Sequence, residues 1–79
     1  MSKQIRPKRL AEKLLAIRQR LALSQSQLAK RINPQMHYGR VSEYELGKRQ
    51  PPLVVLLAYA RVAGVPLENI IDDKINLEF

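Results

Sequence analysis

Arg40 and Glu43 stand three residues apart, and the adjacent cations Lys48 and Arg49 follow just after Gly47. These groups suit recognition rather than turnover. A guanidinium is a rigid fork of donors, and at a guanine edge it meets O6 and N7 together, a pairing worth about 1–3 kcal/mol of discrimination. The chain has no cysteine, which excludes a disulfide framework and any Cys-based zinc or iron–sulfur site. His37 is its one histidine, too few for a His-rich metal cage. No acid–base pair accompanies a sensible nucleophile. No enzyme, metal site or cofactor is therefore expected.

Charge points the same way. The 79 residues carry fourteen Lys and Arg against seven Asp and Glu, for +7. Residues 1–50 hold twelve of the basic and three of the acidic side chains, while residues 51–79 hold two and four. A basic half beside a mildly acidic half suits one face for a polyanion and another for something else. Ordinary solubility charge is the competing explanation.

Helices must position these groups. A chain this short is expected to form one domain that buries about 60–65% of its unfolded surface. Leu10, Leu14, Ile17 and Leu21 trace one face of a first helix over about residues 7–22, with Lys13, Arg18 and Arg20 off that stripe. Ser24-Gln25-Ser26-Gln27 has the form of a capping box, in which hydroxyl and amide satisfy each other's backbone N–H. It opens a second helix over about residues 25–32. Asn33-Pro34 interrupts it, and two readings stand open: Asn33 is turn, or it caps a third helix with Pro34 in its first position. The third helix, about residues 37–46, must include Val41 and Tyr44 and end near Gly47.

Leu53–Ala63 is expected as a fourth helix, apolar on most sides and so central or at an interface. A buried Leu57 would cost about 2–5 kcal/mol on truncation to alanine, and a surface one would be near neutral. Tyr59 belongs to the core or an interface, with its hydroxyl at the edge. Residues 66–71 form a short fifth helix. In the tail, Ile75, Leu77 and Phe79 alternate with polar residues, as in a short strand paired with a second copy; a frayed terminus is the alternative.

Leu23-Ser24-Gln25-Ser26-Gln27-Leu28-Ala29-Lys30-Arg31-Ile32, then Val41-Ser42-Glu43-Tyr44-Glu45-Leu46-Gly47-Lys48-Arg49-Gln50-Pro51, and Leu56 to Leu67 downstream, together resemble the Cro/CI (XRE) family across about residues 8–72. The resemblance implies an all-α, five-helix lambda-repressor-like helix-turn-helix domain, with a basic arm at 1–7 and a tail at 73–79. It makes the third helix the reader of the major groove, with Tyr38, Gly39, Arg40 and Glu43 outward and Val41 and Tyr44 inward. Gly39 lets the backbone approach DNA. Ser24 caps the second helix, whose N–H groups face the phosphates, and Gln25 touches a phosphate and braces the third helix. Lys48 and Arg49 lie along the phosphates. His37 is a phosphate contact or a solvated turn residue, and Met36 fills space under the turn. Glu45 is structural, in position to pair with Arg18.

The sequence also departs from the family. The turn through Asn33–His37 is about two residues longer than usual, and Tyr38 stands where a base-reading Gln is common. Base preferences are therefore not transferable.

The resulting expectation is a sequence-specific transcriptional regulator, acting as a repressor on double-stranded DNA. One such module contacts only about 600–1,000 Å², so a homodimer on an inverted repeat is expected, with half-site centres about 34 Å apart. Protein partners would be polymerase or, in an alternative reading as the antitoxin of a toxin–antitoxin pair, a toxin held by the acidic half and tail. Lys3, Arg6, Lys8 and Arg9 form a candidate arm over the DNA backbone or minor groove. No apolar run approaches the roughly 18 residues of a membrane span. The first helix has neither Trp nor Phe to seat on a membrane surface. Residues 1–7 lack the apolar stretch of a secretory signal. The expected location is the cytoplasm of a bacterium or phage host, on the nucleoid.

Overall fold

A computed structural model describes residues 7–78. Its five helices are α1 (Leu10–Arg20), α2 (Gln25–Ile32), α3 (Tyr38–Glu45), α4 (Leu53–Ala63) and α5 (Leu67–Ile71). None among the described residues is long and apolar enough to cross a membrane. Lys3, Arg6 and Phe79, which enter the expected arm and tail, lie outside the described residues.

Leu10, Leu14 and Ile17 of α1 are buried as their spacing predicts. Lys13 overturns the expectation that it lies off the apolar stripe, being only 2% exposed. Its Nζ donates to the carbonyls of Asn69 and Asp72, each at 2.8 Å, and of Ile75 at 2.6 Å. The last carbonyls of a helix have no partner within it, and an ammonium with three protons suits several of them at once. Lys13 therefore caps α5 and holds the start of the tail. Burial, and then the charge of Arg9, push its pKa below the ordinary lysine value, while Asp73 and Asp72 oppose the shift.

The capping box of α2 is complete: Gln27 N–H donates to Ser24 Oγ at 3.0 Å, and Ser24 N–H to Gln27 Oε1 at 2.8 Å. The structure also decides between the two readings of Asn33. Its backbone is extended, its Oδ1 accepts from Gln35 N–H at 2.9 Å, and its carbonyl from Met36 N–H at 2.8 Å. Asn33 is thus turn, Pro34 lies outside any helix, and α3 starts at Tyr38. Met36 is half-buried against the core.

Helix α4 has the predicted bounds, and Gly64 ends it at φ 70°. Leu56, Tyr59 and Ala60 are buried, joining residues from the other four helices in one core. One open alternative is settled here and one expectation is corrected. Leu57 is 37% exposed, which places it at the surface edge of the helix rather than in the core. The Tyr59 hydroxyl is buried rather than at an edge, and it has no hydrogen-bond partner among the described residues. Burial holds its pKa well above the ordinary tyrosine range.

No strand occurs among the described residues. In the tail, Ile75 and Leu77 are half-buried and Asn76 and Glu78 exposed, so the alternation is real. Leu77 packs on the chain's own core, which gives the apolar positions a partner without a second strand.

Candidate nucleic-acid interface

Glu45 fixes where α3 sits. Its carboxylate accepts from Arg18 Nε at 2.6 Å and Arg18 Nη2 at 3.1 Å, and from Gln25 Nε2 at 3.1 Å. One side chain, 5% exposed, thereby ties α3 to both α1 and α2. Arg18 Nη1 also reaches the Leu23 carbonyl at 3.0 Å, in the turn before α2. A desolvated pair with its remaining groups satisfied specifies an arrangement more than it adds stability. The expected Arg18–Glu45 pair and the bracing role of Gln25 are both present.

With α3 held by Glu45, Val41 and Tyr44 face inward, at 0% and 2% exposure. Burial pushes the Tyr44 phenol up, and the charges of Arg40 and then Arg49 counter it. Arg40 and Tyr38 are exposed, and Glu43 is about half so. Tyr38 therefore does not pack inward. Its ring lies against His37, with centroids 4.4 Å apart and planes tilted by 31°.

His37 has a role beyond either sequence reading. It is the N-cap of α3, and its Nδ1 accepts from Gly39 N–H at 3.0 Å. A Cβ built on Gly39 would lie 3.0 Å from that same Nδ1. Gly39 thus leaves room for the imidazole cap. The available signal was a hydrogen-bond acceptor two residues before a glycine at a helix start.

At its other end α3 closes with Gly47 at φ 74°. Gly47 N–H donates to the Tyr44 carbonyl at 3.2 Å and Lys48 N–H to the Glu43 carbonyl at 2.9 Å. This is the Schellman pairing, and glycine is favoured where it needs a left-handed residue. It turns the chain so that Arg49 Nε donates to Glu43 Oε1 at 3.0 Å. Glu43 Oε1 also lies 3.7 Å from Arg40 Nε. The structure thus joins Arg40, Glu43 and Arg49 in one cluster, His37, Tyr38 and Gly39 in a second, and Gln25 to α3 through Glu45. Lys48 is exposed, and Ser24 is engaged in its cap.

Helix-turn-helix family HTH_3 matches residues 8–70. The chain belongs to this Cro/CI-type helix-turn-helix family. No curated protein matches it. Within the helix-turn-helix domain, α2 and α3 are the densest helix pair, and five residues, 33–37, join them. Domains of this type bind DNA. The turn is held by the Asn33 side chain at its start and the His37 side chain at its end. Arg9, expected in a DNA-contacting arm, instead directs Nη1 to the Asp73 carbonyl and to Asn76 Oδ1, each at 3.0 Å.

Proposed function

We propose that this protein is a transcriptional repressor that binds an inverted-repeat operator as a homodimer, with α3 of each copy in a major groove. The observation that carries this reading is Arg40, exposed in the first turns of a helix that is anchored in the core through Val41 and Tyr44. Arg40 is assigned to a guanine edge. Tyr38 and Gly39 are assigned to the same groove, and His37, Lys48 and Arg49 to the flanking phosphates. Ser24 and Gln25 bring the N-terminus of α2 to the backbone, where unpaired N–H groups favour an anion.

Dimerisation is supported by apolar residues left partly or largely exposed: Leu53, Val54, Leu57 and Ile71 are 66%, 74%, 37% and 37% exposed. Leu53 and Ile71 line one groove, and Leu57 is one turn along α4 from Leu53. In this reading the dimer represses by occluding promoter DNA.

Selection of bound duplexes from a random library is the test. An enriched inverted repeat with half-sites one helical turn or a multiple apart is expected. Arg40→Ala should lower affinity for the selected duplex by about 1–3 kcal/mol and relax one base position. Lys48→Ala should weaken all duplexes alike and reduce the salt slope by about one. Failure to enrich any sequence would overturn the reading.

A further inference from the structure

Glu43 holds the basic loop after α3 in two ways. Its carbonyl takes Lys48 N–H at 2.9 Å, and its carboxylate takes Arg49 Nε at 3.0 Å. The same oxygen lies 3.7 Å from Arg40 Nε. Arg40 and Arg49 are otherwise half in solvent, each with 48% of its side chain exposed, against 41% for Glu43. A carboxylate within a basic cluster on the DNA-reading helix is costly for binding a polyanion, so its position needs a reason.

We propose that Glu43 determines specificity by acting as an internal competitor for Arg40 and Arg49. Free in solution, its carboxylate holds the Nε edge of Arg49 and draws Arg40 toward the same point. On unmatched DNA only phosphates compete for these side chains, and the negative charge of Glu43 opposes their approach. On a matched site a guanine edge offers Arg40 two aligned acceptors, which outcompete a contact of 3.7 Å. Glu43 is therefore a positioning residue whose effect falls mainly on wrong sequences. Exposed ion pairs contribute little to folding, so the role is separable from stability.

The inference rests on α3 being the DNA-reading helix. Its test uses wild type, Glu43→Gln and Glu43→Ala. The probes are the duplex enriched by wild type from a random library and a shuffled duplex of the same composition. Both variants should bind the shuffled duplex several-fold more tightly, with a salt slope steeper by about 0.9 for one added phosphate contact. The ratio of selected to shuffled affinity should fall about fivefold or more, while the thermal midpoint stays in place. Equal loss on both duplexes, or an unchanged ratio, overturns the proposal. So does a changed base preference with shuffled binding unaltered, which would make the carboxylate itself a base reader. If wild type enriches no duplex, the DNA-reading assignment of α3 fails first. If it does and the ratio persists in the variants, only the role of Glu43 fails.

Discussion

Asp73 and Arg9 hold each other twice across 64 residues of sequence: Arg9 N–H donates to Asp73 Oδ1 and Arg9 Nη1 to the Asp73 carbonyl, each at 3.0 Å. The other carboxylate oxygen takes Lys8 N–H at 2.8 Å. Helix α1 has no side-chain cap of its own, so the tail supplies one. A carboxylate at a helix N-terminus also meets the favourable end of the dipole. The N–H groups of Lys8 and then Arg9 hold the Asp73 pKa below its ordinary value of 3.8. A depressed carboxylate pKa stabilises the fold above the unfolded value, and that contribution is lost as pH falls through the folded one. Asp73→Asn should therefore lower the thermal midpoint at pH 6, and the difference from wild type should shrink as pH drops below 3.8. A pH-independent difference would assign the effect to packing.

The His37–Gly39 contact makes two substitutions interdependent. His37→Ala removes the cap of α3 and should cost about 0.5–2 kcal/mol, while His37→Ser should retain most of it. Gly39→Ala alone gains about 1 kcal/mol of helix propensity, but its Cβ would press on His37 Nδ1 at 3.0 Å and disturb the cap. In a His37→Ser background that conflict disappears. Urea denaturation of the four proteins should show Gly39→Ala stabilising only there. Additive effects would mean the imidazole moves aside freely.

Ala22 sits at φ 55°, the one non-glycine residue with positive φ among those described. It ends α1 as Gly47 ends α3, with Ala22 N–H bonded to the Gln19 carbonyl at 3.1 Å and Leu23 N–H to that of Arg18 at 3.2 Å. The left-handed region costs an L-residue about 1–2 kcal/mol, and glycine's greater freedom in the unfolded chain offsets part of that. Ala22→Gly should stabilise by roughly 0.5–1 kcal/mol, visible as a thermal midpoint raised by a few degrees. An unchanged or lower midpoint would show that the unfolded-state entropy of glycine dominates.

What was legible in the sequence was local. The Ser24 capping box, the inward Val41 and Tyr44, and Gly47 at the end of α3 depend on neighbours within one or two turns. The Arg18–Glu45 pair was legible through the family resemblance, which gives Glu45 a structural place before Gly47. Lys13, Asp73 and the buried hydroxyl of Tyr59 were not. Lys13 is three residues from Leu10, and helical spacing alone cannot say that the carbonyls of Asn69, Asp72 and Ile75, from α5 and the tail after it, will converge there. At the site, the outward residues of α3 followed from their spacing. The Arg49–Glu43 bond did not, because it depends on the left-handed turn at Gly47 that swings the loop back. The His37 cap was hidden because histidine is an uncommon choice there beside Ser, Thr, Asp and Asn.

Leu56 and Leu57 are adjacent and chemically identical, yet the structure separates their roles. Leu56 is 5% exposed and Leu57 37%. Leu56→Ala should cost about 2–5 kcal/mol, as in other cores. Leu57→Ala should cost about 1 kcal/mol or less in the monomer, since much of its side chain stays in water when the chain folds. The proposed dimer places a partner on this same face, so the two variants should divide in a second measurement. In sedimentation at micromolar concentration, Leu57→Ala should shift the population toward monomer while its urea midpoint at low concentration stays near wild type. A Leu57→Ala variant that unfolds as readily as Leu56→Ala would return Leu57 to the core. One that keeps both its midpoint and its self-association would remove this face of α4 from the dimer.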